Sequence, residues 1–357
     1  MTVKILQLLG FMFGGVIISL VCNVLLLRFS RSLGIRNKND ITVRWSSESK
    51  PSLGGVSLFV VFIFTGIGYS IVFDYINIFQ NGQYVGLFLA ASLAFAMGLA
   101  DDAYDTKPLF KLAIQIVCGV VFLATGSGIE LFENFYVDGV LTIIWVILIM
   151  NSLNMLDNMD GITGTTSLFI LSACLVSSWL IFDFNTNIWS LSLIAMLGAL
   201  LGFLSMNIHP SKLFMGDAGS QFIGLFVAFF SMEFLLNSGT IQQQHSWLGL
   251  CVAAVAFTPA LVDTLTVVIN RLKRGQSPMV GGKDHTTHHL VYSGLNDRKV
   301  WLIFVVIGLL AAVLSVAMVS LIKLNTIAPV LFFLAYTVFV FILLYRNTIK
   351  YPAPPKK

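Results

Sequence analysis

Apolar stretches near the length of a bilayer crossing recur along the whole chain, separated by short polar interruptions. About eleven can be drawn at the roughly 20-residue length a span needs. They fall at 5–27, 54–73, 84–100, 112–126, 139–155, 164–182, 187–205, 220–236, 247–269, 300–321 and 327–345. None alternates with the two-residue period of a strand, and in lipid only helices or closed barrels satisfy their own backbone. The pattern predicts an all-α, polytopic integral membrane protein: residues 1–346 form a single transmembrane domain and 347–357 a disordered tail. The first stretch is too long for a signal-peptide core and lacks a small-residue cleavage site, so it reads as a retained helix.

Composition supports this. Hydrophobic residues make up 57% of the 357 positions and charged residues 11%, where a soluble domain carries about a quarter charged. The net charge of +4 is too small, and wrongly placed, for nucleic-acid binding. Cys22, Cys118, Cys174 and Cys251 lie singly within apolar runs and read as small hydrophobes. Basic residues set the orientation. Loops 28–53 and 270–299 carry six each and the C-terminal segment four; 19 of the 21 Lys and Arg share one face if eleven spans are right. By the positive-inside rule that face is cytoplasmic, with the N-terminus outside and the C-terminus inside.

Four polar clusters interrupt the apolar pattern, and all fall on that same face. Asp101, Asp102 and Asp105 share a helical side directly after the third span. Such close carboxylates repel unless compensated, which suits a Mg²⁺-phosphate site or an acid–base role. In the stretch 151–161, Asn151, Asn154, Asp157 and Asn158 line one helical side before the Asp160-Gly161 turn. Amide and carboxylate oxygens of this kind suit a hard divalent cation. In the segment 207–220, Phe214 can stack on a nucleobase, Asp217 can hold a metal, and Lys212 can meet phosphate. His285, His288 and His289 stand at i, i+3 and i+4 within a basic loop. With no Cys beside them they suit phosphate better than zinc.

In order and spacing, DDAYD at 101–105, NSLNMLDNMDG at 151–161, FMGDAGS at 214–220, DHTTHHL at 284–290 and Lys50-Pro51-Ser-Leu-Gly54-Gly55 resemble one family. It is the polyprenyl-phosphate N-acetylhexosamine-1-phosphate transferases, glycosyl transferase family 4. The resemblance implies Asp217 as a Mg²⁺ ligand with Asn154 second, Mn²⁺ being able to substitute. It implies Asp101 and Asp102 as the acidic pair handling the lipid phosphate or the metal-bound diphosphate, with Asp105 and Asp157 also in the catalytic set. Phe214 would stack on uracil near Asp160, and Lys50, Lys111, Asn151 and Lys212 would contact substrate. His285, His288 and His289 would line the sugar-diphosphate side. The loop departs from the three consecutive His of the phospho-N-acetylmuramoyl-pentapeptide transferases, which places the chain nearer the UDP-N-acetylglucosamine branch.

The expected activity is transfer of a sugar-1-phosphate from a UDP-sugar to undecaprenyl phosphate, releasing UMP, as the first membrane step of a cell-envelope polysaccharide. Expected partners are the UDP-sugar, the polyprenyl phosphate lipid and the membrane, with a homodimer allowed and no nucleic acid. The expected location is the inner (plasma) membrane, with the site facing the cytoplasm. A transporter or flippase is the alternative from another class. It would place charges at the bilayer midplane and show inverted repeats, whereas here the charges cluster at span ends.

Overall fold

In the computed structural model, the described residues (2–33, 50–73, 78–278, 281–326 and 328–353) form helices and their connections, with no strand among them. Among the described residues, nine helices are long and apolar enough to cross a membrane. In chain order α1 is Thr2–Leu33, α2 Gly54–Val72, α3 Gly82–Tyr104, α4 Pro108–Ala124, α5 Phe135–Leu156, α6 Ile162–Phe182 and α7 Ile188–Asn207. Helix α8, Gly216–Ser231, runs through a π-helical turn, Met232–Leu236, into α9, Ser238–Ile241. Then come α10, Leu248–Ala256, α11, Thr258–Lys273, α12, Thr286–Tyr292, α13, Asp297–Lys323, and α14, Ala328–Lys350.

These elements account for all eleven predicted spans, with two differences. The 112–126 stretch is the short helix α4, and the 247–269 stretch is the pair α10–α11, bent by 81°. The bend falls at Phe257, where Pro259 enters the first turn of α11. Proline suits a helix start but removes a donor and crowds the preceding turn, so one straight helix cannot pass through. The tail prediction needs correcting too. Helix α14 continues through Lys350, and the Tyr351 carbonyl lies 2.6 Å from His289 Nδ1. The last turn is held by a tertiary contact, so the predicted disorder at 347–353 is not what the chain adopts. Arg36, Lys38 and Arg44 of the predicted basic loop, and Lys356 and Lys357, lie outside the described residues.

The core is built around α8. In the span it forms with its continuation to Ile241, 94% of the apolar window is buried, against 17% for that of α1. Helices α2, α3, α5 and α6 pack around it. Phe59 and Phe62 of α2 meet Phe222 edge-on or tilted at 5.5 and 5.8 Å, and Phe226 continues the row at 5.9 Å from Phe62. Between helices in lipid there is no hydrophobic drive, so close packing supplies the attraction. Two glycines permit it where it matters for function. A Cβ on Gly98 would sit 2.4 Å from the Asp217 carbonyl, and one on Gly55 would sit 2.1 Å from Gly219 Cα. Helices α2 and α3 therefore press backbone to backbone against the first turn of α8. Leu6, Phe13, Phe332 and Phe339 point outward from α1 and α14, as lipid-facing residues do.

Away from that first turn, Asn81, Asn134 and Asn187 start α3, α5 and α7, each side chain accepting backbone N–H groups of its own helix. These caps satisfy donors that lipid would leave bare.

Candidate active site

Four helix ends converge at one end of the bundle: the C-termini of α3 and α5 and the N-termini of α4 and α8. Asp102, in the last turn of α3, holds α8 in place. Its Oδ1 accepts from the Asp217 N–H at 3.0 Å and its Oδ2 from the Ala218 N–H at 2.9 Å. A carboxylate there satisfies orphan donors and meets the positive end of the helix dipole. Asp102, expected to handle substrate phosphate, thus has an oxygen on each of two backbone N–H groups in the turn that presents Asp217.

Asp217 projects from that turn into a mixed cluster. Asn154 Nδ2 donates to Asp217 Oδ1 at 2.6 Å and to Ser220 Oγ at 2.8 Å. Lys111, one turn into α4, bonds Asp101 and stands 3.7 Å from Asp217 Oδ2. The other Asp101 oxygen accepts from Thr106 N at 2.9 Å and Thr106 Oγ1 at 2.6 Å, which ties the α3–α4 turn to its carboxylate. One ammonium thus lies between two carboxylates from distant parts of the chain. Asp105 is absent from this group. It is the exposed, left-handed residue ending α3, because the helix stops before it can turn back to the Asp101 face. Asp157 likewise ends α5, as its cap residue.

Asn151 is also placed differently from expectation. Its Nδ2 donates to Gln115 Oε1 and to the Ile147 carbonyl, both at 2.8 Å, and Gln115 in turn donates to Gln221 Oε1 at 3.2 Å. This polar bridge joins α4, α5 and α8 below the cluster, with Asn151 bracing the helices.

A second group lies around Asp160. Its carboxylate accepts from Ser211 N at 3.0 Å and Ser211 Oγ at 2.8 Å, and stands 3.3 Å from His209 Nδ1. Lys50 donates to Ser211 Oγ and lies 5.5 Å over the Phe214 ring. Phe214 is pinned beside Lys50 by a backbone bond from its N–H to the Pro51 carbonyl at 2.9 Å. The structure therefore brings Lys50, Asp160 and Phe214 together, while Lys212 is exposed.

The histidine loop is the third group, and here sequence reasoning missed the residue that organises it. Asp263 of α11 is fully buried, bonds His285 Nδ1 at 2.8 Å, and accepts from Thr286 N and Oγ1 at 2.8 and 2.6 Å. A lone Asp inside the apolar run 247–269 was the available signal. Asp284, also unremarked, takes a bidentate pair from Arg271 at 2.7 and 3.1 Å and a further bond from Arg274. Burial alone would raise the Asp284 carboxyl, but Arg271 outweighs it and holds the group at about 2. The three rings are bound differently. His285 N–H donates to His288 Nδ1 at 3.4 Å, leaving the proton of that ring on Nε2. Burial, reinforced by His285, pulls His288 down to about 3, so it is neutral at physiological pH. His289 Nδ1 meets the Tyr351 carbonyl, a contact that anchors the C-terminal segment. Thr287 Oγ1 donates to Asn158 Oδ1 at 2.6 Å, tying α12 to the turn that follows α5.

A divalent cation fits the first cluster only in part as a protein-made site. Among the described residues no group of three His, Cys, Asp or Glu side chains is arranged to hold a metal. Magnesium, however, is commonly held by one or two carboxylates completed by substrate phosphates and water. Asp217, with Asp101 across the ammonium, meets that lesser demand. Asn154, the expected second ligand, presents its N–H₂ to Asp217 in this arrangement.

Fold and site define a polytopic helical membrane protein with a carboxylate, amide and lysine centre at one end of its bundle. Residues 84–235 match the model of glycosyl transferase family 4, a stretch that holds every member of the first cluster and Phe214 but not the histidine loop. The chain is 26% identical over 279 residues to a "Probable undecaprenyl-phosphate N-acetylglucosaminyl 1-phosphate transferase" of Bacillus subtilis (strain 168), spanning 76% of this chain and 74% of that protein. It is 31% identical over 249 residues to a decaprenyl-phosphate N-acetylglucosaminephosphotransferase of Mycolicibacterium smegmatis, with 62% and 60% covered. Against the undecaprenyl-phosphate alpha-N-acetylglucosaminyl 1-phosphate transferase of Escherichia coli (strain K12) the figures are 27% over 283 residues, with 74% and 71% covered. The chain is thus similar, over residues 84–235, to glycosyl transferase family 4.

Proposed function

We propose that the protein transfers N-acetylglucosamine 1-phosphate from its UDP-sugar to undecaprenyl phosphate, releasing UMP, at the cytoplasmic face of the plasma membrane. The observation that carries this reading is the Asp101–Lys111–Asp217–Asn154 cluster, assembled from four helix ends at one end of the bundle, within the stretch that matches family 4. A lipid phosphate acceptor is confined to the bilayer, so its reaction partner must be met there. The names of the relatives support the sugar and the acceptor.

Phosphoryl transfer asks for positioning and charge neutralisation more than covalent catalysis. Lys111 supplies a fixed cation for phosphate oxygens, and Asp102 keeps the Asp217 turn rigid. Phe214 offers a ring face for the uracil, with Lys50 above it and Asp160 shaping the adjoining turn. A Mg²⁺ ion held by Asp217, and by Asp101 if Lys111 gives way, would neutralise the diphosphate. Direct attack by the lipid phosphate needs no enzyme nucleophile, since a phosphate monoester is already largely anionic at neutral pH. The test is purified protein with Mg²⁺, undecaprenyl phosphate and a panel of UDP-sugars, with UMP measured. UDP-N-acetylglucosamine should give release and UDP-N-acetylmuramoyl-pentapeptide little. Preferred turnover of the pentapeptide donor would overturn the branch.

A further inference from the structure

The bend at Phe257 turns α11 so that Asp263, five residues past the Thr258 that starts it, lies against the start of α12. Its carboxylate is fully buried, yet it is not a stray intramembrane charge. One oxygen is matched by two donors of Thr286 and the other by the His285 ring at 2.8 Å. A carboxylate only accepts at neutral pH, so His285 Nδ1 carries the proton of that bond. Nε2 is then the one ring nitrogen left to meet a ligand. The two Thr286 bonds fix the backbone on which His285 sits, so both the tautomer and the aim of the ring are set from one carboxylate.

We propose that Asp263 is a positioning residue for the transfer reaction. It holds His285 with Nδ1 protonated and Nε2, the ring's acceptor in that tautomer, directed at the sugar nucleotide. The inference rests on the proposed transferase reading for the substrate but not for the dyad itself. His288 is held differently, its Nδ1 accepting from the His285 backbone N–H.

Two measurements test it. The first needs no activity: ¹⁵N NMR of ring-labelled wild-type protein in detergent, with His285 assigned through His285→Gln. A protonated Nδ1 at neutral pH is expected, and an Nε2-only tautomer would overturn the proposal. The second is a double-mutant cycle in UMP release. Asp263→Asn should lower kcat by roughly 10²-fold, the lower end of what a positioned acid–base group contributes. In a His285→Gln background the same change should add little. A full additional loss there would mean that Asp263 acts through the fold alone and would sink the idea. Should Asp263→Asn not fold, Thr286→Val, which removes one hydroxyl bond and leaves the ring pair intact, takes its place with an expected loss below about tenfold; an unshifted His285 spectrum is expected in that variant. If the wild type releases no UMP from any UDP-sugar, the transferase reading fails, while the spectrum still decides the dyad.

Discussion

The acidic cluster and the histidine loop solve opposite problems with the same residue types. In the first, three carboxylates (Asp101, Asp102 and Asp217) share one ammonium, with three backbone N–H groups, the Thr106 hydroxyl and the Asn154 amide donating to them, and the Asp217 side chain is 32% exposed. In the second, Asp263 and Asp284 are each fully matched, Asp263 by a ring and a threonine and Asp284 by two guanidinium groups, and the Asp263 side chain is 0% exposed. The first is left short of positive charge where substrate can enter. The second is paired in advance and deeply buried. A ligand at the first centre changes its charge balance, whereas a perturbation at the second changes its geometry. Substitutions that separate charge from geometry should therefore affect the two centres differently.

The largest effect is expected at Asp217. Asp217→Asn keeps the size of the side chain and lessens the repulsion with Asp101 and Asp102, so the unfolding temperature should hold or rise. UMP release should nevertheless fall by roughly 10²–10³-fold, the scale of losing one preorganised electrostatic group. A variant keeping more than a tenth of wild-type turnover would move the reaction centre away from the first cluster.

Asp102→Ala should show the opposite profile, with stability and activity lost together. Removing a side-chain cap costs about 1–2 kcal/mol, and the first turn of α8 would then release Asp217. If circular dichroism melting in detergent were unchanged by the substitution, the capping role would be wrong and the substrate role first expected for Asp102 would return.

This contrast also explains what could be read from the sequence. The spans were legible because membrane burial imposes long apolar runs, and the first cluster because its members stand in contiguous polar motifs at span ends. What was not legible is how carboxylates divide the labour. Asp101 and Asp102 are neighbours, but adjacent helical residues point about 100° apart. One therefore faces Lys111 and the other the α8 backbone. Asp263 stayed hidden because a single acid in an apolar run has no motif, and its partners come more than twenty residues later. The break at Phe257 was visible as a proline, but its direction depends on packing against α5, α13 and α14.

The histidine loop should respond to pH through geometry. His288 lies at about 3 in the folded protein against 6.5 ordinarily. Between those values the unfolded chain binds a proton that the folded one refuses, so stability rises with pH up to about 6.5 and falls on acidification. Asp284, at about 2 against 3.8, contributes stability above 3.8 that is lost as pH falls towards 2. Both effects act in the acid direction. Unfolding temperature should drop steadily from pH 7 to pH 4, and His288→Gln should flatten that slope. An identical slope in the variant would show that His288 is not the group resisting protonation.

The smallest effect is expected at Asn151, although its motif makes it look like a substrate ligand. Its amide is engaged with Gln115 and the Ile147 carbonyl within the helix bundle. Interhelical hydrogen bonds in membrane proteins are worth about 0.6 kcal/mol on average, since the separated helices find other partners. Asn151→Ala should therefore shift stability by about that amount and leave KM for the UDP-sugar and for undecaprenyl phosphate within about twofold. Gln115 would keep its bond to Gln221 and hold α4 against α8. Lys111, one turn earlier on α4, would then stay in register with Asp101. A tenfold rise in either KM with unchanged melting would place Asn151 at the substrate after all. It would also mean that the Asn151–Gln115–Gln221 bridge rearranges when substrate binds.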